Sequence, residues 1–358
     1  MTGGQDDLVF DGASFVMGSD GEILARAPAF EESVFAVDIP VLLATGRANL
    51  SNGEGEFGSR PLPSNLTKIA AAIAPLLSEE EEIWAALKMG LGDYVGKNGF
   101  ASVALGISGG IDSALVATLA CDALGPSRVH GVCLPSKFSS DHSLSDAKEL
   151  ARNLGMKDRV IDIEPIVASF RAATKLTGIA EENIQARVRG SLLMGISNQE
   201  GHLILATGNK SELAVGYSTL YGDAVGGFAP IKDLFKVDVW DLARWRNRVA
   251  LEQGEVPPIP VNSIEKEPSA ELREGQRDRD SLPEYQVLDQ ILKLYIDGGG
   301  DARLIISAGF EKSLVERIIA MVDRAEYKRR QYPPGTKVSP IAFGKDRRLP
   351  MTSHWKES

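Results

Sequence analysis

The 358-residue sequence predicts an α/β protein: a doubly wound, mainly parallel sheet preceded by a short β-rich segment. Three observations carry that reading. Four short apolar runs, residues 103–107, 129–134, 160–163 and 203–206, have the length of buried strands. Helical segments alternate with them, among them Ile111–Leu124, stopped by Gly125-Pro126, and 146–154, stopped by Gly155. Segment Ile111–Leu124 is apolar on nearly every side and is expected to lie sandwiched against the sheet.

Length and composition bound the answer. At about 150 residues per domain, 358 residues imply roughly two domains. With 43% hydrophobic and 25% charged residues, the chain is neither disordered nor collagenous. No apolar run approaches the roughly 18 residues of a membrane span, so no membrane association is expected. The net charge of −10 makes nucleic acid an unexpected partner without a local basic stripe. Arg244, Arg246 and Arg248, residues 328–330, and Arg347-Arg348 are the basic runs, each read as a solvated helix face. Cys121 and Cys133 lie in apolar stretches and read as reduced core residues of a cytoplasmic protein. The sequons at Asn49 and Asn65 are then coincidental.

In chain order, residues 1–48 read as strands and turns. Segments 8–10 and 14–17 flank Asp11-Gly12, Gly18-Ser19-Asp20-Gly21 marks a second hairpin-like turn, and 35–39 has strand character. Residues 51–64 have linker composition, placing the boundary there: 1–48, a linker 49–65, and an α/β domain 66–358. A helix is expected over 78–98, with Ile83, Trp84, Leu87, Leu91 and Tyr94 at helical spacing and Gly99 as its stop.

The sharpest motif is Gly106-Ile107-Ser108-Gly109-Gly110-Ile111-Asp112-Ser113, set where a strand ends and a helix begins. Its glycines let the backbone turn tightly against an anion, and the helix start offers unpaired N–H groups. Asp112 would repel phosphate directly but suits holding Mg²⁺ against one. It is neither a Walker A loop nor a dinucleotide fingerprint. Ser108-Gly109-Gly110-Ile111-Asp112-Ser113 resembles the pyrophosphate loop of the N-type ATP pyrophosphatases, of adenine nucleotide alpha hydrolase-like fold, which cleave ATP to AMP and pyrophosphate. The loop alone leaves GMP synthetase-like and tRNA thiolase-like enzymes open.

Further segments narrow the resemblance: Asn183-Ile184-Gln185-Ala186-Arg187-Val188-Arg189, Thr207-Gly208-Asn209-Lys210-Ser211-Glu212, Tyr221-Gly222-Asp223 and residues 232–236. Lys266-Glu267-Pro268-Ser269-Ala270-Glu271-Leu272, residues 280–285, 326–330 and 343–350 continue the series. Together they resemble the synthetase half of glutamine-dependent NAD⁺ synthetases over about residues 66–355. Residues 1–48 then look like the tail of that family's nitrilase-like glutaminase domain. Neither Cys121 nor Cys133 matches its nucleophile, so the resemblance implies a fragment using ammonia rather than glutamine, with an inactive truncated product as the rival outcome.

That resemblance implies a carbon–nitrogen ligase: ATP activates the carboxylate of deamido-NAD⁺ as an acyl-adenylate, pyrophosphate leaves, and ammonia displaces AMP. Loop residues Gly106, Ile107, Ser108, Gly109, Gly110, Ile111, Asp112 and Ser113 would bind ATP with Thr207, Lys236 and Ser269. Asp112 and Lys236 would be catalytic, Asp112 and Glu212 would hold Mg²⁺, and Asn183, Arg187, Glu212 and Lys328 would contact deamido-NAD⁺. Asp223 and Glu212 are the candidate bases for ammonium. Leu220 and Gly227 stand where the ammonia-dependent branch has Lys and Asp. The family also implies a homodimer.

Overall fold

A computed structural model of the chain describes residues 1–39 and 72–352. The expected linker 49–65, with Asn49 and Asn65, lies outside them. The chain divides into two compact units: Met1–Thr2 with Phe10–Ser78, and Gly3–Val9 with Glu79–Ser358.

Strand β1 (Thr2–Gln5) pairs with β2 (Leu8–Asp11), and β3 (Phe15–Met17) pairs antiparallel with β4 (Ile23–Arg26). The turn at Gly18–Gly21 is as expected, closed by Gly21 N–H donating to the Gly18 carbonyl at 3.1 Å. The pairing across Asp11-Gly12 is not: β2 takes β1 as its partner instead of β3. Asp6 turns that hairpin in the left-handed region, at φ 55°, which Asp tolerates better than most residues. Segment Thr2–Gln5 is invisible to an apolar pattern because it is Thr-Gly-Gly-Gln. Residues 35–39 form no strand; Phe35 and Ile39 are exposed, with no ladder partner among the described residues.

In the second unit, α1 (Glu79–Lys97) buries Trp84, Leu87 and Leu91 at the anticipated spacing and Val95 besides, while Ile83 and Tyr94 are half-buried. There follow β5 (Val103–Gly106), α2 (Ile111–Leu124), β6 (Val129–Cys133), α3 (Asp141–Leu154), β7 (Lys157–Val160), α4 (Glu164–Ala173), α5 (Ile179–Glu200) and β8 (Leu203–Ile204). The α-helices that follow, joined by turns and loops, are α6 (Lys210–Val215), α7 (Lys236–Glu252), α8 (Val261–Glu265), α9 (Tyr285–Leu292), α10 (Ala302–Ser307), α11 (Lys312–Arg324) and α12 (Glu326–Arg329).

The four strands β5 to β8 form a wholly parallel sheet in the order β7-β6-β5-β8. Its two faces are separated by the period-2 alternation of strand side chains. Val103, Leu105, Val129, Cys133, Leu203 and Leu205 join the core that holds α1, α2 and α7. Ala104, Val132, Leu134 and Ile204 join Val167 of α4 and Val188 and Leu193 of α5 on the other face. The sheet is therefore doubly wound, as the sequence predicts. Helix α2 is buried along Ile111–Cys121 except at Asp112, confirming its sandwiched position.

Strand β7 corrects the expected 160–163. The ladder runs through Lys157, Asp158, Arg159 and Val160, with His130↔Lys157 and Cys133↔Val160 in register. It is an edge strand, and charged side chains on an edge carry no apolar signal and guard the open ladder. The apolar Ile163 is spent on burial beyond the strand, beside α4. Among the described residues, no helix is long and apolar enough to cross a membrane.

Candidate active site

Strand order reverses beside β5: β6 and β7 lie to one side, and the chain returns to place β8 on the other. In open parallel sheets such a switch point leaves a crevice at the carboxyl ends of the strands. Both sequence motifs emerge there, residues 106–113 after β5 and Thr207–Glu212 after β8.

The first loop is locked by its own side chains. Ser108 N–H and Ser113 Oγ lie 3.3 Å apart, Ser113 Oγ donates to the Gly110 carbonyl at 3.1 Å, and Gly110 N–H donates to Ser108 Oγ at 3.3 Å. Gly109 adopts φ +75°, and a Cβ there would stand 2.4 Å from the Ser143 carbonyl oxygen, so the position requires glycine. Gly110 caps α2 without any side-chain hydrogen bond to the helix start. The first N–H groups of a 14-residue helix thus open onto the crevice, a setting that favours anions.

The second loop is held by a capping box. Asn209 Oδ1 accepts from Glu212 N–H at 3.0 Å, while Glu212 reaches back to Asn209 N–H at 3.5 Å. The Asn209 amide also donates to Asp112 Oδ1 at 2.9 Å, which joins the two loops. Lys236, at the start of α7, completes the group. Its Nζ bonds to Asp112 Oδ2 and lies 3.7 Å from Glu212 Oε1. Asp289 of α9 sets that position: its carboxylate accepts from Ser211 Oγ and, at 2.9 Å, from Val237 N–H, while Ser211 Oγ accepts from Lys236 N–H at 2.9 Å.

The electrostatics are crowded. Burial, then the neighbouring Asp112 carboxylate, pushes the Glu212 carboxyl up to about 8, against the pull of Lys236. Burial alone would lower the Lys236 ammonium, but Asp112 and Glu212 outweigh it and hold the lysine above its ordinary value. A third carboxyl, Asp278, is raised by burial; it accepts from Tyr285 Oη at 2.8 Å and Tyr217 Oη at 3.2 Å. One ammonium among three carboxyls leaves the cluster short of positive charge.

Most residues singled out from sequence meet here. The loop from Gly106 to Ser113, apart from Gly109 behind it, lines one cavity with Thr207, Glu212, Asp223, Lys236 and Ser269. Asn183, Arg187 and Lys328 do not line it. They converge instead on residues 216–220 at its side. Lys328 Nζ donates to the carbonyls of Gly216 and Ser218 at 2.6 and 2.7 Å, Asn183 Oδ1 accepts from Thr219 Oγ1 at 2.8 Å, and Arg187 Nε donates to the Leu220 carbonyl at 3.2 Å. Gly227 packs against β8, where a Cβ would approach Leu203 Cδ1 to 2.4 Å.

The sequence reading passed over Asp278 and Tyr217 and gave no role to Lys266, Glu271 and Arg189 within its motifs, though all five line the cavity. Glu271 accepts from Lys266 Nζ at 2.8 Å and Ser143 Oγ at 2.6 Å, tying residues 266–271 to the start of α3. For Arg189 a signal existed: Ala186, Arg189, Gly190 and Leu193 recur at helical spacing on the cavity face of α5. Cys121 and Cys133 are buried free thiols, pushed up by burial to about 12 and about 11.

An uncapped helix start, a carboxylate pair and a lysine thus meet at the switch point of a parallel α/β sheet. The family described as NAD synthase matches residues 83–332, and the chain belongs to it. A glutamine-dependent NAD(+) synthetase of a Synechocystis species is 48% identical over 355 residues, 98% of this chain and 59% of the relative. The glutamine-dependent NAD+ synthetase of Acinetobacter baumannii, solved with ADP, aligns with a TM-score of 0.63 at 42% identity, covering 100% of this chain and 62% of that one. An NMN synthetase from Francisella tularensis aligns with a TM-score of 0.60 at 28% identity, covering 71% of this chain and 96% of that one. The chain thus spans about three fifths of the length of the curated relative.

Proposed function

We propose that the second unit joins ammonia to the carboxylate of deamido-NAD⁺ at the expense of ATP, releasing pyrophosphate and then AMP. The observation that carries this is the convergence of Asp112, Glu212 and Lys236 on the open start of α2, inside a chain of the NAD synthase family.

The uncapped N–H groups at the start of α2 bind and orient the departing pyrophosphate. Lys236, aimed by Ser211 and Asp289, neutralises charge gathering on that leaving group. Thr207 and Ser269 bound the nucleotide at the cavity wall. Asn183, Arg187 and Lys328 shape the 216–220 segment on which the dinucleotide is positioned. Asp223, its carboxyl raised by burial, accepts a proton from ammonium.

The donor set fits Mg²⁺. Asp112 and Glu212 supply hard oxygen ligands, and among the described residues no cluster of three His, Cys, Asp or Glu forms a full protein cage. Mg²⁺ takes one or two carboxylates and completes its shell with water and phosphate. Burial, and after it the Asp112 carboxylate, disfavours an ionised Glu212, and such a cation would offset both. Bound between Asp112 and Glu212, it would supply charge neutralisation on the phosphates.

Ammonia is the proposed nitrogen donor because neither buried thiol, Cys121 or Cys133, is poised to attack glutamine. The proposed homodimer is read by light scattering. The decisive assay supplies ATP, Mg²⁺ and deamido-NAD⁺ with ammonium or glutamine in parallel. NAD⁺ formed with ammonium alone supports the reading. Equal turnover with glutamine removes the ammonia claim, preference for nicotinate mononucleotide replaces the substrate, and absence of AMP release with either dismisses the ligase.

A further inference from the structure

Three basic side chains face the cavity, and two are already committed. Lys236 is bound to Asp112 and Lys266 to Glu271 and Ser143. The third, Arg189, leaves α5 on the same stripe as Ala186, Gly190 and Leu193. Its Nε donates to the Leu134 carbonyl at 2.9 Å, which fixes the guanidinium beyond the end of β6. Among the described residues its two terminal amines have no hydrogen-bond partner. Glu271 and Asp223 are near enough to be felt but are not bonded to it: Glu271 is taken by Lys266 and the serines of α3, and Asp223 by Thr219 N–H at 2.6 Å.

A guanidinium keeps its charge wherever it sits. Arg189 is half-buried and lines the cavity, where two parallel N–H groups match the two oxygens of a carboxylate or phosphoryl group. The Nε anchor leaves that forked edge free and pre-aimed.

We propose that Arg189 is the anion-recognising residue of this cavity, its terminal amines clamping an oxyanion of the substrates opposite the α2 start. The inference rests on the amidation reading, and the oxyanions it puts to the test are a phosphoryl of the nucleotide and the carboxylate of the dinucleotide. Both are tested by binding, which needs no turnover, so a failure of the ligase assay is distinguishable from a failure here.

The full chain and Arg189→Gln are titrated with two matched pairs, AMP against adenosine and deamido-NAD⁺ against NAD⁺. The first differs by a phosphoryl group and the second by carboxylate against amide. Arg189→Gln is expected to weaken the charged member of one pair about tenfold or more, since a hydrogen bond to a charged group contributes about 1.5–3 kcal/mol. The member lacking that oxyanion should change less than about twofold, and the affected pair identifies the source of the oxyanion. Should Arg189→Gln fail to fold, Arg189→Lys keeps the charge without the fork, and its expected loss, about threefold, is confined to the same charged member. Both members of a pair weakening together, or neither weakening, overturns the proposal.

Discussion

Each end of the parallel sheet carries a cluster of ionisable side chains, and the two are wired oppositely. At the amino ends, Glu200 takes two hydrogen bonds of 2.6 Å from Arg159, and His202 bridges it, Nε2 at 3.1 Å, to Ser102, 2.7 Å from Nδ1. His130 stacks on His202 with ring centroids 4.1 Å apart. Chiefly through Arg159, Glu200 is held down at about 2. At the carboxyl ends, burial and Asp112 drive Glu212 the other way, to about 8. One cluster is closed upon itself. The other sets one ammonium, Lys236, among carboxyls beside the uncapped start of α2, the condition in which the proposed cation and anion would both be held.

Four measurements break or sharpen that contrast. Asp112→Asn removes the carboxylate shared by Lys236 and Asn209. Turnover should fall about 10²–10³-fold, the scale of losing a charge-stabilising group, while the melting temperature stays close to wild type. Activity within about threefold of wild type would place the reactive charge elsewhere.

Gly109→Ala forces a side chain into the left-handed region and onto the Ser143 carbonyl. Loss of about 1–3 kcal/mol is expected in chemical denaturation, with weakened ATP binding because the loop must shift. An unaltered ATP affinity would show that the loop's shape is not what binds phosphate.

The amino-end cluster should govern acid stability. Burial, then the adjacent His202, lowers His130 below 6.5, so its contribution is full above pH 6.5 and is lost as pH falls through the folded value. Glu200, depressed from 4.5 to about 2, contributes above pH 4.5 and fails between there and pH 2. Melting temperature should therefore decline in two successive windows, and His130→Phe should flatten only the upper one. A profile that is level between pH 7 and 5 contradicts the wiring.

The smallest effect belongs to Lys328→Met, which frees the carbonyls of Gly216 and Ser218. A rise of about three- to tenfold in the KM for the dinucleotide is expected with kcat nearly unchanged, the pattern of lost uniform binding. A fall in kcat alone would move Lys328 into the chemistry.

Much of this was legible in the chain itself. The doubly wound sheet, helix α2 and the 106–113 loop follow from apolar period, from stop signals and from glycine at φ +75°. Each depends on residues close together in sequence. Edge strand β7 and β1 escaped because Lys-Asp-Arg and Thr-Gly-Gly carry no burial signal; only a neighbouring strand makes them strands.

The same division holds in the site. The sequence showed a glycine-rich strand-to-helix loop carrying Asp112, a local motif, and the family resemblance set Glu212 and Lys236 beside it. The tertiary structure decided which partners these groups have. It brought Lys236 to Asp112 across 124 positions, placed Asp278 and two tyrosines beside them, and turned Arg189 into the cavity while Arg187 bonds the Leu220 carbonyl. Charge and burial are properties of neighbours in space, and strand order, not sequence distance, selects those neighbours.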